Sequence, residues 1–243
     1  MTFRYHLLEI VFRMASRYIK NKTIGLENIP PKGQGYIAAA NHRSFADAAI
    51  LPQTLVTARK EAVHMVSYAE LFDKPIMGTI LRWAEGLVLD RSSKEGIERF
   101  FRDAKRILLE KHECVGLHPE AHISKTGKLG RGRTGAARLA LETGCPVVPI
   151  GLFGTDIVMP PGTTKLNYKR RAMSIVIGKP LSFRKYMRAY EAGDERVKEE
   201  ILEGATTVIM RAIASITRQH YPFGERALAR LAQYGEPDSG GAA

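Results

Sequence analysis

The sequence has little cysteine and no long apolar run. Its two cysteines, Cys114 and Cys145, lie in apolar surroundings, so we expect buried thiols in a reducing compartment rather than a disulfide scaffold. No apolar stretch approaches the length of a membrane span. The first residues lack a signal-peptide pattern, because Arg4, Glu9 and Arg13 interrupt them. If the chain meets a membrane, we expect it to lie on the membrane surface.

Acidic residues are outnumbered by basic ones. The chain has 37 lysines and arginines against 25 aspartates and glutamates, which gives a formal net charge of +12 at pH 7. Such a surplus attracts nucleic acid, anionic lipid headgroups or phosphorylated ligands, and charge alone does not choose among them. The basic residues are spread along the chain without a base-stacking motif, so nucleic acid is not expected as a partner.

The alternation of apolar segments predicts a single layered α/β domain. Its mixed, largely parallel sheet is expected to be flanked by helices. Pro52 predicts a kink or an early end in the helix that contains it. The predicted strands are 36–40, 63–68, 87–89, 114–117, 147–152 and 173–178, and the predicted helices are 45–57, 75–83, 94–109, 135–142 and 197–216.

The N-terminal residues have the spacing of an amphipathic helix over residues 3–20. The same pattern fits a helix packed on its own domain and an interfacial helix with basic residues at the lipid headgroups. We predict a membrane-surface helix at 1–22, the main domain at 23–222 and a tail at 223–243, of which 236–243 has a disordered composition. The apolar stripe of this helix consists of Phe3, Leu7, Ile10, Val11, Met14 and Tyr18.

A histidine and an aspartate follow the first of the predicted strands, at 36–40. His42 can act as a general base near neutral pH if a carboxylate fixes its tautomer, and Asp47 can supply that carboxylate. Five residues apart, the two lie on different sides of a continuous helix, so they meet only if His42 precedes the helix. Taken alone, the pair also fits a loop histidine followed by a first-turn helix aspartate.

Two further strands run out into basic segments. Arg91 follows strand 87–89, next to Asp90, and fits either a surface ion pair or a clamp on an anionic group. Residues 124–134 are rich in lysine, arginine and glycine before a helix start, which suits either phosphate contact or a solvated loop. His118 and His122 are four residues apart without a third ligand at a suggestive spacing, so no zinc site is expected.

Four blocks in this order resemble the 1-acylglycerol-3-phosphate (lysophosphatidate) acyltransferase family of glycerolipid enzymes. The resemblance covers roughly residues 24–180. The matching residues are Asn41, His42 and Asp47 for the N-H-x-x-x-x-D block, 86–91 for the second block, Pro119, Glu120, Ser124, Gly127 and Leu129 for the F-P-E-G-T-R-S block and its continuation, and 147–149 for the fourth.

The resemblance implies an O-acyltransferase of phospholipid biosynthesis at the cytoplasmic face of the cell membrane, bound peripherally to an anionic surface. His42 would deprotonate a lysophospholipid hydroxyl, and Asp47 would orient His42. The hydroxyl would attack acyl-CoA or acyl-carrier protein, with no acyl-enzyme, metal or further cofactor. Glu120 would organise its loop or bind a hydroxyl. The expected contacts to the acceptor come from Arg91, Glu120, Ser124, Lys125, Lys128 and Arg133.

The third block departs from the family pattern. Ala121, His122 and Ile123 stand where the family has Gly, Thr and Arg, and His118 replaces an aromatic residue. An isoleucine cannot make the phosphate contact of an arginine. Three interpretations follow: neighbouring cations bind the phosphate of 1-acylglycerol-3-phosphate, the acceptor is another lysophospholipid or a glycolipid, or the protein is a non-catalytic basic lipid-binding protein of the same fold. The neighbouring cations are Lys125, Lys128, Arg131 and Arg133.

Overall fold

A single sheet of seven strands organises the chain in the computed structural model, which describes residues 2–163, 165–167 and 171–235. The strands lie side by side in the order β1-β7-β6-β2-β5-β3-β4. Strands β6, β2, β5, β3 and β4 run parallel, whereas β7 is antiparallel to β6 and parallel to β1. The predicted mixed, largely parallel sheet is therefore confirmed. The strands are β1 (Lys20–Ile24), β2 (Tyr36–Ala40), β3 (Val63–Tyr68), β4 (Leu87–Leu89), β5 (Cys114–Leu117), β6 (Val147–Phe153) and β7 (Met173–Ile177).

Helices cover both faces of this sheet. Two of them have side-chain N-caps, because Ser93 accepts a hydrogen bond from Gly96 N and Asp194 accepts one from Val197 N. The helices are α1 (Phe3–Ile19), α2 (Asp47–Arg59), α3 (Ala69–Phe72), α4 (Pro75–Trp83), α5 (Lys94–Leu109), α6 (Gly135–Thr143), α7 (Thr155–Val158), α8 (Met187–Ala192), α9 (Glu195–Thr217) and α10 (Glu225–Leu231).

Strand β2 lies at the centre of the sheet and is buried on both faces. Its side chains alternate between the two hydrophobic clusters of the domain, as the period of a strand requires. Ile37 and Ala39 join the cluster formed with α5, α6 and α9, whereas Ala38 and Ala40 join the cluster formed with α1 and α2. A strand enclosed in this way holds the two residues that follow it, Asn41 and His42, in a fixed position relative to the sheet.

The structure differs from the sequence prediction at α2. This helix continues through Pro52 to Arg59, so the predicted early end is wrong. Leu51 and Leu55 are fully buried in the same helix, and their packing offsets the hydrogen bond that the proline ring removes.

Both ends of the chain also add structure that the sequence patterns do not predict. Strand β1 is a polar edge strand, a composition that hides its strand character. Helix α10 lies within the segment predicted as a tail and packs on α9, where a β-carbon on Gly204 would lie 2.5 Å from the Leu231 side chain. Residues 236–243 and the Tyr18 side chain lie outside the described part of the chain.

Helix α1 packs on the domain through Tyr5 and exposes a second, apolar face. The Tyr5 hydroxyl accepts a hydrogen bond from Val63 N (2.9 Å) and donates one to Val63 O (3.2 Å). The opposite face carries Phe3 and Met14, whose side chains are 83% and 71% exposed. Within the described residues, no helix is long and apolar enough to span a bilayer.

Candidate active site

The carboxyl ends of five parallel strands share one edge of the sheet, and the predicted site residues follow three of them. His42 follows β2, Glu120 follows β5 and Arg91 follows β4. From β5 the chain crosses to β6 on the other side of β2, so the crevice beside the end of β2 lies at a switch point of the topology. Open α/β sheets bind their ligands at such points.

Asn41 fixes the chain where it leaves the sheet. Its buried side chain accepts a hydrogen bond from Leu152 N (2.7 Å) and donates one to Leu152 O (3.0 Å). The side-chain amide therefore extends the β2–β6 pairing by one residue, and it determines the direction in which His42 departs.

His42 and Asp47 are in contact, with 2.9 Å between His42 Nδ1 and Asp47 Oδ2. Asp47 begins α2 and His42 lies in the turn before it, which is the arrangement that the spacing requires for a contact. Asp47 is fully buried, whereas the His42 side chain is 17% exposed. The same carboxylate oxygen also accepts hydrogen bonds from Arg43 N (2.7 Å) and Ser44 N (2.8 Å).

The Asp47 carboxyl is ionised at neutral pH. Burial alone would raise its pKa, but the hydrogen bond from the His42 ring holds the pKa below its ordinary value. A carboxylate can only accept, so a neutral His42 ring carries its proton on Nδ1. The unprotonated Nε2 of His42 is then available to take a proton from a substrate.

Glu120 holds the backbone of His42 from the side of β5. Its buried carboxylate accepts hydrogen bonds from His42 N (2.9 Å) and Gly130 N (2.6 Å). Burial raises the pKa of Glu120, and the two hydrogen bonds oppose that shift. Ser124 N donates to His42 O (2.8 Å), while the Ser124 hydroxyl donates to Lys128 O (2.7 Å) within its own loop. This geometry supports the loop-organising role expected for Glu120.

His118 occupies the position before Pro119 and stacks on the ring of His42. The two ring centroids are 4.0 Å apart and the planes differ by 7°. Nδ1 of His118 lies 3.0 Å from Ala40 O and 3.1 Å from Asn41 O, so it carries the proton. Burial, reinforced by the neighbouring His42, lowers the pKa of His118 to about 3, and its ring is therefore neutral.

Arg91 lies against the third block through Tyr68. Its guanidinium carbon is 4.0 Å from the centroid of the Tyr68 ring, and the Tyr68 hydroxyl donates a hydrogen bond to Ala121 O. Asp90 accepts hydrogen bonds from Ser92 instead of pairing with Arg91. Because no ion pair of Arg91 occurs among the described residues, its charge is available to a ligand.

The basic loop between Pro119 and α6 presents exposed cations. Arg131 is 3.5 Å from Glu203. Lys125, Lys128 and Arg133 are exposed, and in the described part of the chain no carboxylate lies within ion-pair distance of them. Ile123 is partly buried and adds no charge. The cations near the third block are therefore those of the residues that follow it, and position 123 contributes none.

Two other kinds of site, a metal site and a cysteine nucleophile, can be compared with the residues at this edge. The described ranges contain no cluster of three or more histidine, cysteine, aspartate or glutamate side chains arranged to hold a metal ion. Cys114 is buried in β5, and burial raises its pKa to about 12, so it does not supply a thiolate.

Sequence reasoning missed the segment after β6, where Thr155 and Asp156 reach the histidine motif. Asp156 Oδ2 accepts a hydrogen bond from Arg43 Nη2 (2.9 Å), and Thr155 is fully buried beside Asp47. The useful signal was positional, because β6 is another predicted strand of the sheet and its end lies at the same edge as His42.

The chain is similar to known proteins over more than half of its length. Residues 20–152 match the Acyltransferase family. The chain is 30% identical over 172 residues to a chloroplastic 1-acyl-sn-glycerol-3-phosphate acyltransferase of Brassica napus, which covers 68% of this chain and 46% of the relative. It is 33% identical over 166 residues to a chloroplastic relative of the same name in Arabidopsis thaliana, with 65% and 42% covered. The chain thus spans less than half the length of these curated relatives.

A solved structure has the same fold. The 1-acyl-sn-glycerophosphate (LPA) acyltransferase PlsC from Thermotoga maritima superposes with a TM-score of 0.59 at 21% identity, over 90% of this chain and 83% of that one. This likeness shows a shared fold over 90% of the chain.

Proposed function

Since the chain belongs to the Acyltransferase family, we propose that it transfers a fatty acyl group from acyl-CoA or acyl-carrier protein to the hydroxyl of a lysophospholipid, with 1-acylglycerol-3-phosphate as the acceptor and phospholipid biosynthesis as its setting. The observation that carries this proposal is the 2.9 Å contact between His42 Nδ1 and the buried, ionised Asp47. It makes His42 a general base aimed away from its carboxylate partner.

The reaction needs one proton relay and no covalent enzyme intermediate. His42 Nε2 takes the proton of the acceptor hydroxyl as its oxygen attacks the thioester carbonyl carbon. The carbon–sulfur bond then breaks, and the departing thiolate takes the proton back from the His42 imidazolium. Asp47 stabilises that imidazolium while it exists. The products are an ester and a free thiol, which together contain all the atoms of the acceptor alcohol and the acyl thioester.

An anionic headgroup on the acceptor is supported by the cations around the third block. Arg91, Lys125, Lys128 and Arg133 have no ion-pair partner among the described residues and follow two strands that end at the His42 edge. Their charge can bind a phosphate without the arginine that the family carries at position 123. This arrangement favours 1-acylglycerol-3-phosphate over an uncharged glycolipid acceptor.

Contact with a membrane surface is supported by the apolar face that α1 shares with α4. A groove of about 440 Å³ lies between the two helices, and its walls are almost entirely apolar. Ile76 at the start of α4 is 78% exposed, and Arg4 lies 5.8 Å from the Trp83 ring beside the groove. An apolar face with an arginine at its rim suits an anionic bilayer interface, and we propose the cytoplasmic leaflet as that interface. The groove is lined by Leu7, Leu8, Val11, Pro75, Ile76, Thr79, Ile80 and Trp83.

A donor-and-acceptor screen tests the proposal. Purified protein is mixed with acyl-CoA or acyl-carrier protein and a panel of lysophospholipids and glycolipids, and both free thiol and acylated lipid are measured. We expect thiol release that depends on 1-acylglycerol-3-phosphate, with one ester formed per thiol released. Thiol release without any acceptor dependence would indicate a hydrolase. Vesicle binding without turnover on any acceptor would indicate a lipid-binding protein instead.

A further inference from the structure

Residues 152–159, which follow and include the end of β6, hold the polar side chains of the histidine motif. Asn41 bonds to both backbone groups of Leu152. Arg43 Nη2 donates to Asp156 Oδ2 at 2.9 Å, and Ser44 Oγ donates to Met159 O at 2.7 Å. The turn that carries His42 is therefore bound along its length to one short stretch of chain.

Asp47 has an uneven set of partners within this arrangement. Its Oδ2 accepts three hydrogen bonds, from the His42 ring and from two backbone N–H groups. Its Oδ1 and the Thr155 hydroxyl oxygen are both buried, and neither meets hydrogen-bond geometry with any group in the described part of the chain. Two buried polar groups without partners are costly, and these two are neighbours.

The backbone brings Thr155 to this place through a glycine turn. Gly154 has a φ of 71°, and a β-carbon there would lie 2.0 Å from Ala172 O, so only glycine fits. The turn ends β6 and directs the next side chain, Thr155, into the interior beside Asp47. The conformation of Gly154 therefore determines where the Thr155 side chain lies.

We propose that Thr155 is a positioning residue for acyl transfer, whose hydroxyl donates to Asp47 Oδ1 and thereby fixes the carboxylate that orients His42. A carboxylate held through one oxygen can still rotate about its Cβ–Cγ bond. A donor on the second oxygen stops that rotation and keeps the His42 ring aligned with the acceptor hydroxyl. The inference rests on the proposed function of His42 as the base.

Two substitutions separate the hydroxyl from the shape of Thr155. Thr155→Val keeps the volume and removes the donor, whereas Thr155→Ser keeps the donor. A hydrogen bond to a charged group is worth enough to change a rate by about 10-fold or more. We expect Thr155→Val to lower kcat by about 10-fold with KM for acyl-CoA and lysophosphatidate within about 2-fold of wild type. Thr155→Ser should recover most of that loss.

Thr163→Val is the matched control, because Thr163 is exposed and its hydroxyl bonds within its own loop, where it donates to Pro160 O and accepts from Lys165 N. It should leave kcat unchanged. A Thr155→Val protein with wild-type kcat, or a Thr155→Ser protein as slow as Thr155→Val, would overturn the proposal. So would a rate loss that simply follows a lowered melting temperature in all three variants.

A second measurement needs no turnover and therefore separates this inference from the proposed function. The carboxyl carbon of Asp47 can be titrated by ¹³C NMR in wild type, Thr155→Val and Thr155→Ser. Loss of a donor to the ionised form should move the Asp47 midpoint to higher pH in Thr155→Val alone. Identical midpoints in all three proteins would overturn the proposal, even in an active enzyme. A shifted midpoint in a protein inactive on every acceptor would uphold the contact and reject the proposed reaction.

Discussion

The His118 ring lies flat on the His42 ring, with 4.0 Å between centroids and 7° between planes. Its Nδ1 proton is directed to the carbonyl oxygens of Ala40 and Asn41, at the end of β2. His118 therefore covers one face of the His42 ring as another aromatic ring would, and its Nδ1 contacts connect that face to the end of β2.

The first prediction concerns the pH dependence of stability. Because the pKa of His118 is about 3 in the folded chain and ordinarily 6.5, the unfolded chain binds an extra proton between these values. The contribution of neutral His118 to the free energy of unfolding is therefore fully present above pH 6.5. It is lost as the pH drops toward about 3, by up to about 1.4 kcal/mol per pH unit. His118→Phe keeps a flat ring without this titration. The free energy of unfolding, measured in urea at each pH from 4 to 6, should therefore depend less steeply on pH in this variant than in wild type. Equal slopes in the two proteins would contradict the assignment.

The second prediction concerns Ala121, which has a φ of 60° where the family pattern has glycine. The left-handed conformation costs an L-residue about 1–2 kcal/mol, whereas glycine loses about 0.4–1 kcal/mol through the entropy of the unfolded chain. Ala121→Gly should therefore raise the free energy of unfolding by about 0.5–1 kcal/mol, measured by denaturant titration. A destabilised Ala121→Gly protein would mean that the methyl group packs usefully in the third block.

The third prediction concerns the apolar face of α1 and α4. Ile76→Asp replaces an exposed apolar side chain at the proposed membrane surface, and burial of such a side chain is worth about 1.5–3 kcal/mol. Binding to vesicles of anionic phospholipid should weaken about 10-fold or more in a sedimentation assay. Leu109→Asp is the matched control, since Leu109 is also exposed but ends α5. Equal binding by both variants would place the membrane contact elsewhere.

The fourth prediction concerns the acceptor phosphate. Arg91→Ala removes a cation held over the Tyr68 ring. KM for lysophosphatidate should rise about 10-fold or more, while KM for an uncharged acceptor should stay the same. Arg99→Ala removes an exposed arginine from α5 and serves as the control. If Arg91→Ala raises KM equally for charged and uncharged acceptors, the arginine supports the loop rather than the phosphate.

Much of the fold could be predicted from apolar periodicity. The strands predicted at 36–40, 63–68, 87–89 and 114–117 coincide with β2 to β5, because each is a short apolar run bounded by turn residues. The antiparallel pairing of β7 with β6 could not be predicted, since strand order depends on contacts between distant segments. The polar strand β1 has no periodic signal at all.

Within the site, a contact could be predicted from the residues alone only where both partners lie in one short segment. The contact of His42 with Asp47 follows from their separation of five positions and from the helix that begins at Asp47. The contribution of Thr155 could not be predicted, because it depends on a glycine turn in a segment whose sequence resembles an ordinary loop. Contacts between residues close in the chain can be predicted from sequence, whereas contacts from distant segments, such as Thr155, depend on the fold.

The central claim is that His42 and Asp47 act as one catalytic unit, and a double-mutant cycle on acyl transfer tests it most directly. His42→Ala, Asp47→Asn and the double variant are compared with His112→Asn, which changes an exposed turn histidine and should remain active. We expect His42→Ala to reduce kcat to background and Asp47→Asn to reduce it by about 10³-fold, with the double variant no slower than His42→Ala. Near-normal turnover by folded His42→Ala protein, or losses that add independently in the double variant, would contradict the account.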